Sequence, residues 1–269
     1  MKQSFYLLAF FCFSLFLYNC SNPNEGNKEF TTKNKHERTE PFDERTRREI
    51  IHYLAIPKGE KYTLKIYREY INSDTLLDAI ITVNRMEYAM NEAVKAGREA
   101  KAAELGFTGN YNYVFYYDAA IDRISNPIFV PSSPGRTLDI EFENICAPTR
   151  KDVVISYRIR NSGWKSYYSV FNDHDLIKVF EWKWFDAIGT EKPEAVLHAY
   201  EENENNISKD IALYESTINN YNTAIQNIYS YVPQIAQKNK IQFKFFLDPA
   251  AKKFRLYPEY TKNLPLLQQ

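Results

Sequence analysis

Between Leu138 and Phe185 apolar and polar residues alternate with a period of two, and that period leaves little choice of local structure. Leu138, Ile140 and Phe142 alternate with Asp139, Glu141 and Glu143. Val153, Ile155, Tyr157 and Ile159 alternate with Asp152, Val154, Ser156 and Arg158. In an extended strand successive side chains point to opposite faces, so each run offers one apolar face to a core. Asn161-Ser162-Gly163 reads as a turn, with further strands over Trp164–Phe171 and Leu176–Phe185. An acidic outer face on one run and Arg158 on the next suit cross-strand ion pairing. The expectation is an antiparallel meander.

Flanking segments extend this pattern. Pro41–Ala55 carries Asp43 and Glu44 early and Arg45, Arg47 and Arg48 later, which suits a short helix stopped by Pro57 and Gly59. Lys61–Tyr70, Leu76–Val83, Tyr111–Tyr117, Ala195–Tyr200, Ile241–Leu247 and Lys253–Tyr257 read as strands. Two segments read as long helices. Arg85–Leu105 is rich in Ala, Glu, Lys and Met, follows Asn84 as an N-cap, and ends at Gly106. In Asn206–Ala236 the residues Ile207, Ile211, Tyr214, Ile218, Tyr221, Ile225, Ile228, Val232 and Ile235 recur at intervals of four and three, as one helix face does. Pro233 would loosen its last turns. That stripe is expected to pack on the protein's own sheet or on the Arg85–Leu105 helix, with a coiled coil to a second chain as the alternative. The expected fold is α+β: an antiparallel sheet covered by two long helices, in a single domain over residues 41–269.

The N-terminus carries an address. Residues 5–18 are apolar or aromatic apart from Ser14, behind Lys2 and ahead of the polar run Ser21–Glu25. A membrane-crossing helix needs about 20 such residues and a signal-peptide core roughly 7–15, so the segment reads as a signal peptide over residues 1–19. Leu17-Tyr18-Asn19-Cys20 resembles the lipobox of bacterial lipoproteins, with Leu17 at the aliphatic position and Cys20 at the acylated cysteine. Asn19 departs from the small residue usual before that cysteine, and Tyr18 is bulkier than usual. The resemblance implies a multiply acylated Cys20, and several acyl chains hold nearly permanently where one does not. Residues 20–40 then form a lipid-anchored tether, polar throughout, with His36 solvated. The implied location is the cell envelope, outside the cytoplasm, with the outer membrane favoured.

Charge narrows the partners. The chain has 34 basic and 34 acidic residues. A general nucleic-acid binder needs uncompensated Lys and Arg, so nucleic acid is not an expected partner. Aromatic residues make up 16% of the chain, far above what a disordered protein carries, so a folded aromatic core is expected. Of the three cysteines, Cys12 falls in the leader and Cys20 at the lipid site, which leaves Cys146 without an internal disulfide partner. It reads as a packing residue.

Chemistry is sparsely signalled. The chain has no G-x-S-x-G, H-E-x-x-H, phosphate-loop or dinucleotide motif, and its 8 glycines could hardly build a glycine-rich loop. Asn172-Asp173-His174-Asp175 lies between two strands. Asp173, His174 and Asp175 could bind a cation or work as an acid–base set, although a hairpin turn asks for the same residue types. Asn72–Asp78 faintly resembles the Asp-rich loop of calcium-binding propeller repeats, but it lacks the glycine and the dense spacing, so no metal or other cofactor is expected. Trp164, Trp182 and Trp184, with Tyr167, Tyr168 and Tyr200, sit in or near the meander, and Trp182 and Trp184 share one side of a strand. Exposed, they would make a stacking platform; buried, they are core. The leading expectation is a non-enzymatic envelope lipoprotein that binds a partner protein or ligand. The alternatives are a surface glycan binder using Trp164, Tyr167, Trp182 and Trp184, and an extracytoplasmic hydrolase using Asp173, His174 and Asp175.

Overall fold

The computed structural model describes residues 40–98, 111–133, 136–171 and 174–264. The signal peptide, Cys20 and the tether up to residue 39 lie outside the described residues. The chain divides into two compact units, Met1–Arg45 and Thr46–Gln269. Of the first unit only residues 40–45 are described. There the Glu44 and Arg45 N–H groups both bond Pro41 O at 3.1 Å, opening helix α1 (Phe42–Tyr53).

The second unit is built from two antiparallel sheets. The first has five strands: β1 (Thr63–Glu69), β2 (Asp78–Asn84), β3 (Asn112–Asp118), β4 (Arg123–Ile124) and β5 (Ile128–Phe129). Every residue of β2 and β3 is buried, which their β-branched and aromatic runs permit. Between them lies α2 (Met86–Lys95). Asn84 Oδ1 accepts the Met86 N–H at 3.1 Å, and Gly97, at φ 62°, carries the chain out.

The second sheet has eight strands in sequence order: β6 (Asp139–Glu143), β7 (Asp152–Ile159), β8 (Ser162–Val170), β9 (Leu176–Asp186), β10 (Glu194–Glu201), β11 (Asp210–Ile218), β12 (Ile235–Asp248) and β13 (Lys253–Leu256). The expected meander is present. Its first tight turn is Arg160-Asn161, flanked by the Ile159–Ser162 pair, so Gly163 lies inside β8 rather than in the turn. The sheet breaks at one corner. β10 joins β9 only through Glu194–Asp186 and Ala195–Phe185, whereas it follows β11 from Ala195–Ser216 to Glu201–Asp210. Gly189 at φ 91° and Pro193 shape the connection. Past this corner β9 faces β12 and β13: the Phe180 ring is 4.7 Å from Phe245 and 6.0 Å from Phe254, and Trp182 is 5.2 Å from Phe243. One aromatic core fills that fold-over. A second joins the sheets, packing Ile80, Val114 and Tyr116 against Val153, Ile155 and Tyr168.

The α+β expectation is corrected here. Of the described residues 44% are strand and 13% helix, so the protein is mostly β. The expected Asn206–Ala236 helix is replaced by β11, an irregular loop over residues 219–234, and the start of β12. Its asparagines explain the difference, because an Asn side chain bonds nearby backbone in place of the helical ladder. Asn222 Oδ1 accepts the Ala224 N–H and Asn227 Oδ1 the Tyr229 N–H, while Asn220 turns the chain at φ 51°. Part of the apolar stripe still packs internally: Ile218, Tyr221, Ile225, Ile228 and Ile235 cover Phe185 and Ile188 at the sheet corner. Arg85–Leu105 is helical only over Met86–Lys95, and residues 99–105 lie outside the described residues. No long helix covers the meander among the described residues, and none there is long and apolar enough to cross a membrane.

Candidate functional site

The corner where β9 parts from β10 opens a cleft of about 880 Å³. Trp164 from β8 and Trp182 and Trp184 from β9 all line it. Local geometry brings them together. One of two register shifts in the β8–β9 pairing falls at Gly163/Trp164, next to Trp184. Trp164 pairs with Lys183, whose Nζ lies 5.2 Å from the Trp164 ring centre. Trp182 stacks parallel to Phe180 at 6.4 Å, and Trp184 meets Phe185 edge-on at 4.5 Å. All three indoles are partly exposed. Among the described residues the buried N–H groups of Trp164 and Trp184 have no hydrogen-bond partner.

Polar groups ring the aromatic floor: Glu181, Asp186, Glu194, Glu215, Lys240, Gln242 and Asn263. Burial pushes the Glu181 carboxyl up, but hydrogen bonds from Ser166, Lys178 and Tyr157 outweigh it and hold the group below the usual range. Asp186 behaves likewise, bonded by Lys183 and Ser162. Glu215, bonded by Lys238 at 3.0 Å and Lys240 at 3.2 Å, is also lowered. These three are fixed anions and acceptors.

A second recess, of about 420 Å³, shares Trp184, Phe185 and Val196 with the cleft. His198 reaches it from β10. Tyr167 OH lies 2.7 Å from His198 Nδ1 and the rings stack at 5.9 Å, while Tyr200 OH donates to Tyr167 OH at 3.4 Å. Burial pushes the His198 imidazole down to about 3, aided by the Lys165 charge and opposed by its bond to the Lys183 carbonyl. Tyr167 is 1% exposed and lines neither opening, so it supports the site from beneath.

His174 and Asp175 both meet the β3–β4 hairpin, where Arg123 bonds His174 O and Asp175 Oδ1. His174 Nδ1 lies 2.7 Å from Asp118 Oδ2 on β3, whereas Asp175 pairs with Arg123 at 3.3 Å on the exposed surface. Asp173 lies outside the described residues. Asp74, Asp78 and Asp118 each offer an oxygen within 4.8 Å of the others. Protein donors already occupy them. Asp78 accepts from the Ala119 N–H, Tyr116 OH and the Asn72 N–H; Asp118 accepts from the Ala120 N–H; Asp74 accepts from the Leu76 N–H. Burial nevertheless raises the Asp78 carboxyl above its usual range. The sequence signalled the loops but not Asp118, which pairing in the first sheet brings to them. Cys146 is buried, and burial with the neighbouring Asp152 raises its thiol, so it is a packing residue.

Comparison with known proteins yields no matching family model, no matching curated protein and no matching solved structure.

Proposed function

We propose that this chain is a non-enzymatic envelope lipoprotein, tethered through Cys20, that binds a carbohydrate in the tryptophan cleft. The observation that carries the reading is the convergence of Trp164, Trp182 and Trp184 on one open cleft with fixed carboxylates and amides at its rim. A sugar ring offers a C–H face to an indole and hydroxyls to acceptors, and this lining supplies both. The lowered carboxyls at Glu181, Asp186 and Glu215 stay ionised as acceptors for sugar hydroxyls. The hydrolase reading through Asp173, His174 and Asp175 draws no support from the exposed surface where Asp175 pairs with Arg123.

Tryptophan fluorescence titrated with a panel of oligosaccharides tests the cleft. Trp182→Ala should weaken binding at least tenfold, or about 1.4 kcal/mol. Gln242→Ala, at the rim, should weaken it without lowering thermal stability. If no oligosaccharide binds the wild type, the reading fails. The anchor is tested by the mass of the mature N-terminus beside a Cys20→Ala variant: an unacylated wild-type chain, or a variant that stays on the membrane, overturns it.

A further inference from the structure

The second recess holds two arginines that bond the 219–234 loop through its carbonyls and pair with neither carboxylate lining the recess. Arg158 is 5% exposed and Arg85 is 6% exposed, yet their surroundings differ. Arg85 holds Glu60 in a two-point ion pair, both contacts at 2.7 Å. Among the described residues Arg158 donates only to backbone carbonyls, those of Arg160, Ile228 and Tyr231, and its guanidinium lies 5.0 Å from the Phe185 ring centre. Carbonyls supply hydrogen bonds but no countercharge, and a buried charge without one is costly. Of its five N–H groups, these bonds engage three. Arg136 lines the same recess and donates to Ser230 O at 3.3 Å, and among the described residues it too pairs with no carboxylate. The two guanidinium groups repel each other: burial first, then the Arg136 charge, pushes Arg158 down to about 10.

The other charges facing the recess do not cancel them. Lys165 and Glu141 satisfy each other at 3.1 Å, and His198 is neutral. Asp139, exposed on β6, is the remaining carboxylate and forms no ion pair with either arginine. Three cations thus stand against two anions, beside a cleft whose rim is mainly acidic.

Resting on the carbohydrate reading, we infer that the ligand is an acidic glycan: neutral rings occupy the tryptophan cleft, and one carboxylate or sulfate substituent enters the Arg136–Arg158 recess. The shared wall of Trp184, Phe185 and Val196 puts both parts within reach of one oligosaccharide. An oxyanion there supplies the missing countercharge and accepts guanidinium N–H bonds. Asp139 acts against it, which selects for a compact anion held away from the β6 rim.

The test titrates the full-length protein with neutral, uronate-containing and sulfated oligosaccharides of equal length, and with inorganic sulfate alone. The acidic forms should bind about tenfold tighter than the neutral one at low salt, and the advantage should shrink at high salt. Which acidic form gains more identifies carboxylate or sulfate. Arg136→Gln should abolish the advantage while leaving neutral binding and the melting temperature unchanged, and Asp139→Asn should enlarge it. Equal affinity for neutral and acidic forms, or an Arg136→Gln loss shared by both, overturns the inference and leaves the carbohydrate reading standing. Sulfate binding that depends on Arg136, with no sugar bound at all, overturns both and identifies a simple oxyanion pocket.

Discussion

Gly163 lies directly against Trp184: a Cβ on the glycine would stand 2.5 Å from the indole Nε1 and 2.6 Å from Phe185 Cδ1. The missing side chain on β8 therefore sets the position of an aromatic wall on β9. Gly163→Ala should destabilise the protein by about 1–3 kcal/mol, the usual cost of overpacking. It should also shift the tryptophan emission, because Trp184 must move. Denaturant unfolding and fluorescence spectra check both, and an unchanged spectrum would mean that the ring is not held this way.

His198 gives stability a pH dependence with a defined sign. In the unfolded chain a histidine takes up a proton below about pH 6.5, whereas the folded group resists until about 3. Between those values the unfolded state binds more protons, so stability falls as pH falls through that window and is flat above it. His198→Gln should flatten the profile between pH 7 and 5 by about 1–2 kcal/mol. Urea unfolding at stepped pH measures it.

Glu181 acts with the same sign at lower pH. Its folded value is lowered, so the stability it contributes is present above the ordinary carboxylate range and is lost as pH falls through the lowered value. Glu181→Gln should cost about 1–2 kcal/mol at pH 7. The gap to wild type should close at acid pH, where both side chains are neutral. A gap that persists there would assign the loss to packing.

Arg158 fixes the 219–234 loop by its bonds to Ile228 O and Tyr231 O. Arg158→Ala should therefore speed proteolytic cleavage within that loop at least tenfold more than cleavage elsewhere. Limited proteolysis with mass mapping reads this directly. Uniform acceleration would indicate global destabilisation instead.

His174→Ala removes the bond at 2.7 Å to Asp118, which is 1% exposed. The expected loss is about 1 kcal/mol, with no change in carbohydrate affinity, since His174 lines neither opening. A fall in affinity would place His174 at the binding site.

What the sequence determined by itself was local and periodic. The alternation of Ile140, Ile155 and their neighbours specified the strands of the meander, because a period of two admits one extended conformation with one buried face. Asn72, Asp74 and Asn84 signalled turns and a helix start through side-chain bonds to backbone that span two residues. The stripe from Ile207 to Ile235 misled, because its spacing fitted a helix while its asparagines bonded the backbone of a loop. Only the tertiary structure decided the rest. The parting of β9 from β10 turned Trp164, Trp182 and Trp184 from scattered aromatics into one cleft. Tertiary packing elsewhere brought Arg158 to Arg136 and His174 to Asp118, contacts between residues that no local pattern links. Spacing along the chain reports which face a side chain takes, whereas what stands opposite that face depends on where distant strands pair.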